Sequence, residues 1–240
     1  MDLSLKGKVA MITGGSRGLG RQIAEAMAQE GCQISICARD SKQLGSAVAE
    51  FTAQGHYARG TQADVTKEED AARFYQDTVA ELGNPDILVN NVGGRRGSVI
   101  FEKTTSEQFR EGLEVNLISA VRLTAMVLPH MKAQKWGRII NISSIYGREH
   151  GGSIDCMTGK AGLIAFSKHL ALQLAPHGVL VNCVALGSID FPSSSWDRFQ
   201  KTQPLEVVSE FIAVTSPWGA SAGRNPLAQW WLSWHQTGPT

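Results

Sequence analysis

The chain has little of several features that would narrow its role at once. Its 240 residues carry a net charge of +1 and only 19% charged side chains, which gives no electrostatic footprint for nucleic acid or an anionic membrane surface. No uninterrupted apolar run approaches the roughly 18 residues of a membrane span. The opening Met1-Asp2-Leu3-Ser4-Leu5-Lys6 lacks the apolar core of a signal peptide. Four cysteines, Cys32, Cys37, Cys156 and Cys183, are too few and too irregularly spaced for a disulfide framework or a metal site. Internal repeats and low-complexity linkers are also missing. These absences leave a cytosolic globular protein with free thiols and no metal, long enough for one α/β domain with a sizeable core.

What is present is alternation. Six strand-like runs (residues 8–13, 33–38, 57–62, 86–90, 138–143 and 179–184) are separated by helical patterns, which predicts βαβ units in a doubly wound, mostly parallel sheet with ligands at the carboxyl ends of the strands. The first unit is the most informative. The apolar run Lys8-Val9-Ala10-Met11-Ile12 leads into Thr13-Gly14-Gly15-Ser16-Arg17-Gly18-Leu19-Gly20, after which Ile23, Ala24, Met27 and Ala28 recur at helical spacing. A strand, a glycine turn and a helix in that order aim backbone N–H groups and a helix N-terminus at one point, which attracts phosphate. Gly14 permits the tight turn, Gly18 the approach of a pyrophosphate, and Gly20 close packing of helix on strand.

The spacing Gly-x-x-x-Gly-x-Gly after Thr13 resembles the cofactor turn of the short-chain dehydrogenase/reductase family. Further stretches match that family in order over about residues 5–212. Asn90-Asn91-Val92-Gly93 resembles its Asn-Asn-Ala-Gly motif, and Asn116 lies within a long helical pattern from about Glu107 to Met131. Asn141-Ile142-Ser143-Ser144 ends a strand, a helix carrying Lys160-Ala161-Gly162-Leu163 follows, and Val181-Asn182-Cys183-Val184-Ala185-Leu186-Gly187-Ser188-Ile189 comes next. The resemblance implies a single Rossmann domain and NAD(P)(H)-dependent interconversion of a small-molecule carbonyl and alcohol, as in 3-oxoacyl-carrier-protein reductases and sugar- or polyol-type members. It implies cofactor contacts from Thr13, Gly14, Ser16, Arg17, Gly18, Leu19, Gly20, Arg39, Asp64, Val65, Asn90, Lys160, Gly187 and Ile189. Arg39, directly after the second strand, stands where the adenosine ribose lies, and an arginine there accommodates a 2′-phosphate. With Arg17 beside it, NADP(H) is expected first and NAD second. Asp64 is expected to meet the adenine, and Asp64 or Thr66 to cap the helix that begins near Lys67.

For catalysis the resemblance implies Asn116, which holds a water of the proton relay, and Ser144 (alternate Ser143), which holds the substrate oxygen. It also requires a tyrosine four residues before Lys160, whose charge lowers the tyrosine pKa. This chain has Cys156 there. A thiol is acidic enough, with a reference pKa near 8.5 against about 10 for tyrosine, but it lacks the ring that reaches the carbonyl. Tyr146, two residues after Ser144, lacks the i, i+4 relation to Lys160. Leu186 replaces the family's proline and frees the loop at Gly187. Residues 190–210, with Phe191, Trp196 and Phe199, are expected as a mobile lid. Members of the family commonly pair through the helices that carry Asn116 and Lys160, so a homo-oligomer is expected by analogy.

After residue 212 the resemblance stops. Residues 212–240 contain one charged side chain, Arg224, and four of the six tryptophans, with nothing that reads as the family's last strand. Reading one base earlier across codons 214–240 forces Gly from Trp218-Gly219, Val-Val from Gln229-Trp230-Trp231 (when Gln229 is CAG) and Ala from Trp234-His235, within a frame that can encode the family's C-terminal helix. Residues 213–240 therefore read as an aberrant, frameshifted tail. Two other readings stand beside catalysis: an NADP(H)-binding protein without turnover, or inactive oligomer partner, and a damaged product that folds poorly.

Overall fold

The structure, a computed structural model, describes residues 3–187, 189 and 195–215. Ser4–Ala185 form one compact unit, and a second begins at Leu186. The expected tail from residue 216 onward lies outside the described residues.

The first unit alternates as its hydrophobic pattern predicts. β1 (Val9–Thr13) leads to α1 (Gly18–Gln29), β2 (Gln33–Ala38) to α2 (Ser41–Ala53), and β3 (Ala58–Gln62) to α3 (Glu68–Leu82). β4 (Ile87–Asn90) precedes a long helical rod: α4 (Ser106–Leu113), a π-turn (Glu114–Ile118) and α5 (Ser119–Ala133). β5 (Gly137–Ser144), α6 (Ile154–Leu174) and β6 (Val179–Leu186) complete it. The sheet order is β3-β2-β1-β4-β5-β6, and β1 pairs parallel with both β2 and β4. Strand order therefore reverses at β1, which opens a crevice outside its carboxyl end.

Burial follows from the sheet's position between helix layers. All five residues of β1 and all four of β4 are buried, as expected of central parallel strands covered on both faces. The main core joins Met11 and Leu88 of the sheet to Phe74, Leu123, Val127, Met131, Leu170 and Leu174 of α3, α5 and α6. The rod Ser106–Ala133 is apolar and long enough to cross a membrane by length and composition. It also buries Asn116, Ser119 and Thr124 and packs on α3 and α6, as a core helix does.

Cys32 and Cys37 are buried and their thiols are pushed up to about 12, chiefly by loss of solvent, so both are unreactive packing residues. Within the second unit, α7 (Ser195–Thr202) and α8 (Leu205–Thr215) are helical. There Trp196, Phe199 and Phe211 form a three-ring cluster with centroids 5.2–5.5 Å apart, so two of the expected lid aromatics pack internally. Phe191 lies outside the described residues.

Candidate active site

The glycine turn does what its spacing implies, with the roles differently shared. Gly14 and Gly18 adopt φ of +67° and +56°, a region that only glycine enters without strain. A Cβ on Gly20 would stand 2.6 Å from Asn91 Nδ2 and closer still to the Gly14 carbonyl oxygen, and one on Gly15 would lie 2.6 Å from Ile36 Cβ. The close approach of turn to strand is thus Gly15 on β2, while Gly20 packs against the turn itself. No side chain caps the N-terminus of α1, so the N–H groups at Gly18, Leu19 and Gly20 lack intrahelical partners. Ser16 is half-buried beside them. This unoccluded cradle fits a dinucleotide pyrophosphate.

Thr13 acts behind the turn rather than in it. Its buried hydroxyl accepts from the N–H groups of Asn91 (2.8 Å) and Val92 (3.0 Å) and donates to the Val89 carbonyl (3.3 Å). Asn91 returns the contact by donating Nδ2–H to the Thr13 carbonyl at 2.9 Å. Asn90 instead turns into the interior. Its amide donates to Asn141 Oδ1 at 2.8 Å, and Asn141 donates to Ser167 Oγ at 2.8 Å. Asn90 Oδ1 is buried without a protein partner, an acceptor left open at the end of β4.

At the expected ribose end, Arg17 and Arg39 are both exposed, and neither has a carboxylate partner among the described residues. Asp40, the acid that follows Arg39, is committed elsewhere: its carboxylate accepts from Gln43 N at 3.0 Å and caps α2. The expected cap of α3 is corrected. Its N-cap is Lys67, without a side-chain bond. Asp64 Oδ1 instead accepts from Thr66 N and Oγ1, and Asp70 reaches back to Asp64 N at 2.8 Å. Val65 is buried, and its carbonyl accepts from Arg122 at 3.0 Å.

The catalytic candidates converge where β4, β5, α6 and the π-turn meet. Asn116 is 1% exposed, so it does not face solvent. Its Nδ2 donates to the carbonyls of Gly94 (2.6 Å) and Gly112 (2.8 Å), and its Oδ1 accepts from Gly94 N (3.1 Å). The side chain thus braces the loop after β4 and occupies a carbonyl four residues back, inside a π-turn, a distortion frequent at functional sites. A water relay through this amide finds its donors already used. Gly93 completes the contact, since a Cβ there would stand 2.8 Å from Lys160 Nζ and 3.0 Å from Asn116 Oδ1.

The two serines divide as alternating strand residues must. Ser143 is buried and its hydroxyl donates to the Lys160 carbonyl at 3.0 Å. Ser144 accepts from Tyr146 N at 3.2 Å, which leaves its own proton to offer a substrate oxygen. Lys160 is 6% exposed, and its ammonium donates to the Ile142 carbonyl at 2.7 Å. Burial lowers its pKa, and the neighbouring thiols Cys156 and Cys183 oppose that.

Cys156 is half-buried, its Sγ 4.0 Å from Asn116 Oδ1. Burial raises its thiol above the ordinary value despite the Lys160 charge. The Tyr146 ring lies against Gly151 and Gly152, and burial raises its pKa as well, the wrong direction for an activated phenol.

Sequence reasoning missed Asp155. It is fully buried, and its Oδ2 accepts from Arg96 N at 2.8 Å. Burial works to raise its carboxyl, yet the hydrogen bond from Arg96 N and the neighbouring backbone N–H groups hold it below the usual carboxylate range, while its Oδ1 and the Ser153 hydroxyl make no hydrogen bond among the described residues. It ties the loop after β4 to the start of α6. An acid in a helix's first turn looks ordinary in sequence. Gly112 makes room for it, since a Cβ there would stand 2.5 Å from Asp155 Cβ. Gly187 and half-buried Ile189 fall in the second unit, where Gly187 has open space at its missing Cβ.

A family model described as short chain dehydrogenase matches residues 8–202. The chain belongs to that family. Curated relatives of this short-chain dehydrogenase include the 3-oxoacyl-acyl-carrier-protein reductase FabG of Aquifex aeolicus, 40% identical over 193 residues that cover 79% of this chain and 77% of the relative. The L-fucose dehydrogenase of Bos taurus is 34% identical over 205 residues, covering 85% and 73%. Among solved structures, an NAD+-bound xylitol dehydrogenase superposes with a TM-score of 0.86 at 25% identity over 96% of this chain and 92% of its own. The crystal structure of gox2181 gives 0.88 at 27% identity, covering 97% and 91%. These relatives place the short-chain dehydrogenase among oxidoreductases.

Proposed function

We propose that the chain binds NADP(H) in preference to NAD(H) and handles a small carbonyl or alcohol, with turnover impaired by Cys156. The observation that supports this most is the convergence of Ser144, Lys160, Cys156 and Asn116 at the carboxyl ends of β4 and β5. The glycine cradle of β1 lies on the neighbouring strand. Gly14, Ser16, Gly18, Leu19 and Gly20 would hold the pyrophosphate, Arg17 and Arg39 the 2′-phosphate, Asp64 and Val65 the adenine, and Asn90 and Lys160 the nicotinamide ribose. Arg39 supports the NADP(H) preference, because it is exposed and has no carboxylate partner among the described residues. The nicotinamide, held by these residues, would supply or accept the hydride.

The chain's own groups have separable tasks. Ser144 orients the substrate oxygen with its free O–H. Lys160 presents a buried positive charge whose preference for a nearby anion rises with its desolvation. Proton exchange falls to position 156, where a protonated thiol without a ring replaces a phenol. A positioned acid/base contributes typically about 10²–10⁴-fold, so turnover is expected to fall by at least that factor while cofactor binding is kept. This favours, as a second reading, a nucleotide-binding protein or oligomer partner with little turnover. Exposed Ile118 and Leu172, on the π-turn and α6, support homo-oligomer pairing through these helices.

The test has two parts. Fluorescence titration should show NADPH binding tighter than NADH, and Arg39→Ala should reduce that ratio about tenfold or more, the worth of a charge-assisted contact. Cys156→Tyr should raise NADPH-dependent reduction of a carbonyl panel. Equal cofactor affinities would remove the first claim. Ordinary turnover by the parent, unchanged in the tyrosine variant, would remove the second.

A further inference from the structure

The loop after β4 carries two consecutive arginines that the reading above does not use. Its backbone is fixed on both sides of Arg95. Gly94 exchanges two hydrogen bonds with Asn116, at 2.6 and 3.1 Å, and Arg96 N donates to Asp155 at 2.8 Å. Both anchors flank the proton-exchange position, since Asn116 Oδ1 lies 4.0 Å from Cys156 Sγ and Asp155 precedes Cys156 in α6.

The two arginines differ in what they do. Arg96 is engaged: its Nε lies 3.8 Å from Glu111, and its Nη1 donates to the Arg95 carbonyl at 3.2 Å. Arg95 is exposed and has no carboxylate partner among the described residues. Its charge is felt at the Cys156 thiol, where it works with Lys160 to lower the pKa that burial and Asp155 raise. Asp155, the carboxylate beside that thiol, is buried and its Oδ2 accepts from Arg96 N. An exposed guanidinium on a backbone anchored beside the reacting position, without a carboxylate partner among the described residues, matches a carboxylate on the ligand.

We propose that Arg95 is a specificity residue that selects oxo acids or hydroxy acids, whose carboxylate it binds while the carbonyl or alcohol oxygen meets Ser144. The assignment rests on the carbonyl/alcohol reading of the same site. Because Arg95 is exposed, its replacement leaves the core intact.

The test is calorimetric binding to the full chain, with and without saturating NADPH, using three probe pairs: pyruvate, acetoacetate and levulinate, each against its own methyl ester. At least one acid should bind about tenfold or more tightly than its ester, the scale of a charge-assisted bond to a charged partner. Arg95→Ala should bring acid and ester level, and Arg95→Lys should keep part of the difference. Acid and ester binding alike to the parent for all three pairs, no binding of any probe, or a preference that survives Arg95→Ala would each overturn the proposal. NADPH titration separates the two claims. If NADPH fails to bind while the Arg95-dependent acid preference persists, the anion site stands and the dinucleotide reading falls.

Discussion

Replacing Asn116 by alanine tests the brace at the centre of the site. The substitution removes three hydrogen bonds, two donated by Nδ2 and one accepted by Oδ1. Gly112 is buried and loses a donor to its carbonyl without access to water, whereas Gly94 is half-exposed and recovers part of its hydration. A buried backbone group left without a partner costs about 1–3 kcal/mol, so one full and two partial losses give roughly 3 kcal/mol. For a chain of this size that is a fall in Tm of roughly 6–12 °C. Urea unfolding followed by tryptophan fluorescence, without cofactor, measures the loss directly. Asn116→Asp separates hydrogen bonding from volume: it keeps Oδ1 and loses both donated bonds. Its carboxyl then has a folded pKa above the unfolded value, so its deficit against the parent is full at neutral pH and shrinks as pH falls through that folded pKa. A loss under about 1 kcal/mol for Asn116→Ala, or an aspartate variant with no pH-dependent recovery, would refute the brace.

Three more outcomes are expected. Thr13→Val keeps the shape but strips two N–H groups of their acceptor; it should cost about 2–3 kcal/mol in urea unfolding and weaken NADPH binding measured by fluorescence. Cys156 should react with iodoacetamide more slowly than glutathione at pH 8 and show its rate midpoint at higher pH, because burial raises its thiol; a midpoint at or below that of glutathione contradicts the geometry. Sequencing the coding DNA should reveal, one base back across codons 214–240, an open frame that encodes a Gly-Ala-Val-Val-Ala helix. A stop codon in that frame would end the frameshift explanation.

The central strands were legible because parallel strands covered on both faces need continuous apolar runs, and all six strands, including the largely polar edge strand β3, stand within a residue or two of their expected bounds. The glycine turn was legible because its φ requirements exclude other residues. The i, i+4 relation alone places Cys156 and Lys160 on one face of α6. What escaped were side chains that act on backbone. Asp64 and Thr66 read as caps, yet they bond each other and Asp70 reaches back to Asp64 N, so neither side chain caps α3. Paired asparagines gave no sign that Asn91 would fasten the turn while Asn90 turned inward. Asp155 escaped because Arg96, whose N–H it accepts, lies 59 residues away in the chain.

The π-turn between α4 and α5 has a mechanical consequence. One extra residue in a helical turn rotates everything beyond it by about 100°, so the rod behaves as a swivel with two differently aimed halves. The α4 half lies against α6, and the α5 half lies against α3. A single-residue deletion within Glu114–Ile118 would restore regular winding and force a choice between those two neighbours. Whichever half kept its seat, the other would present its polar side to the interior. The insertion that positions one amide is therefore also what lets one continuous rod serve two packing surfaces.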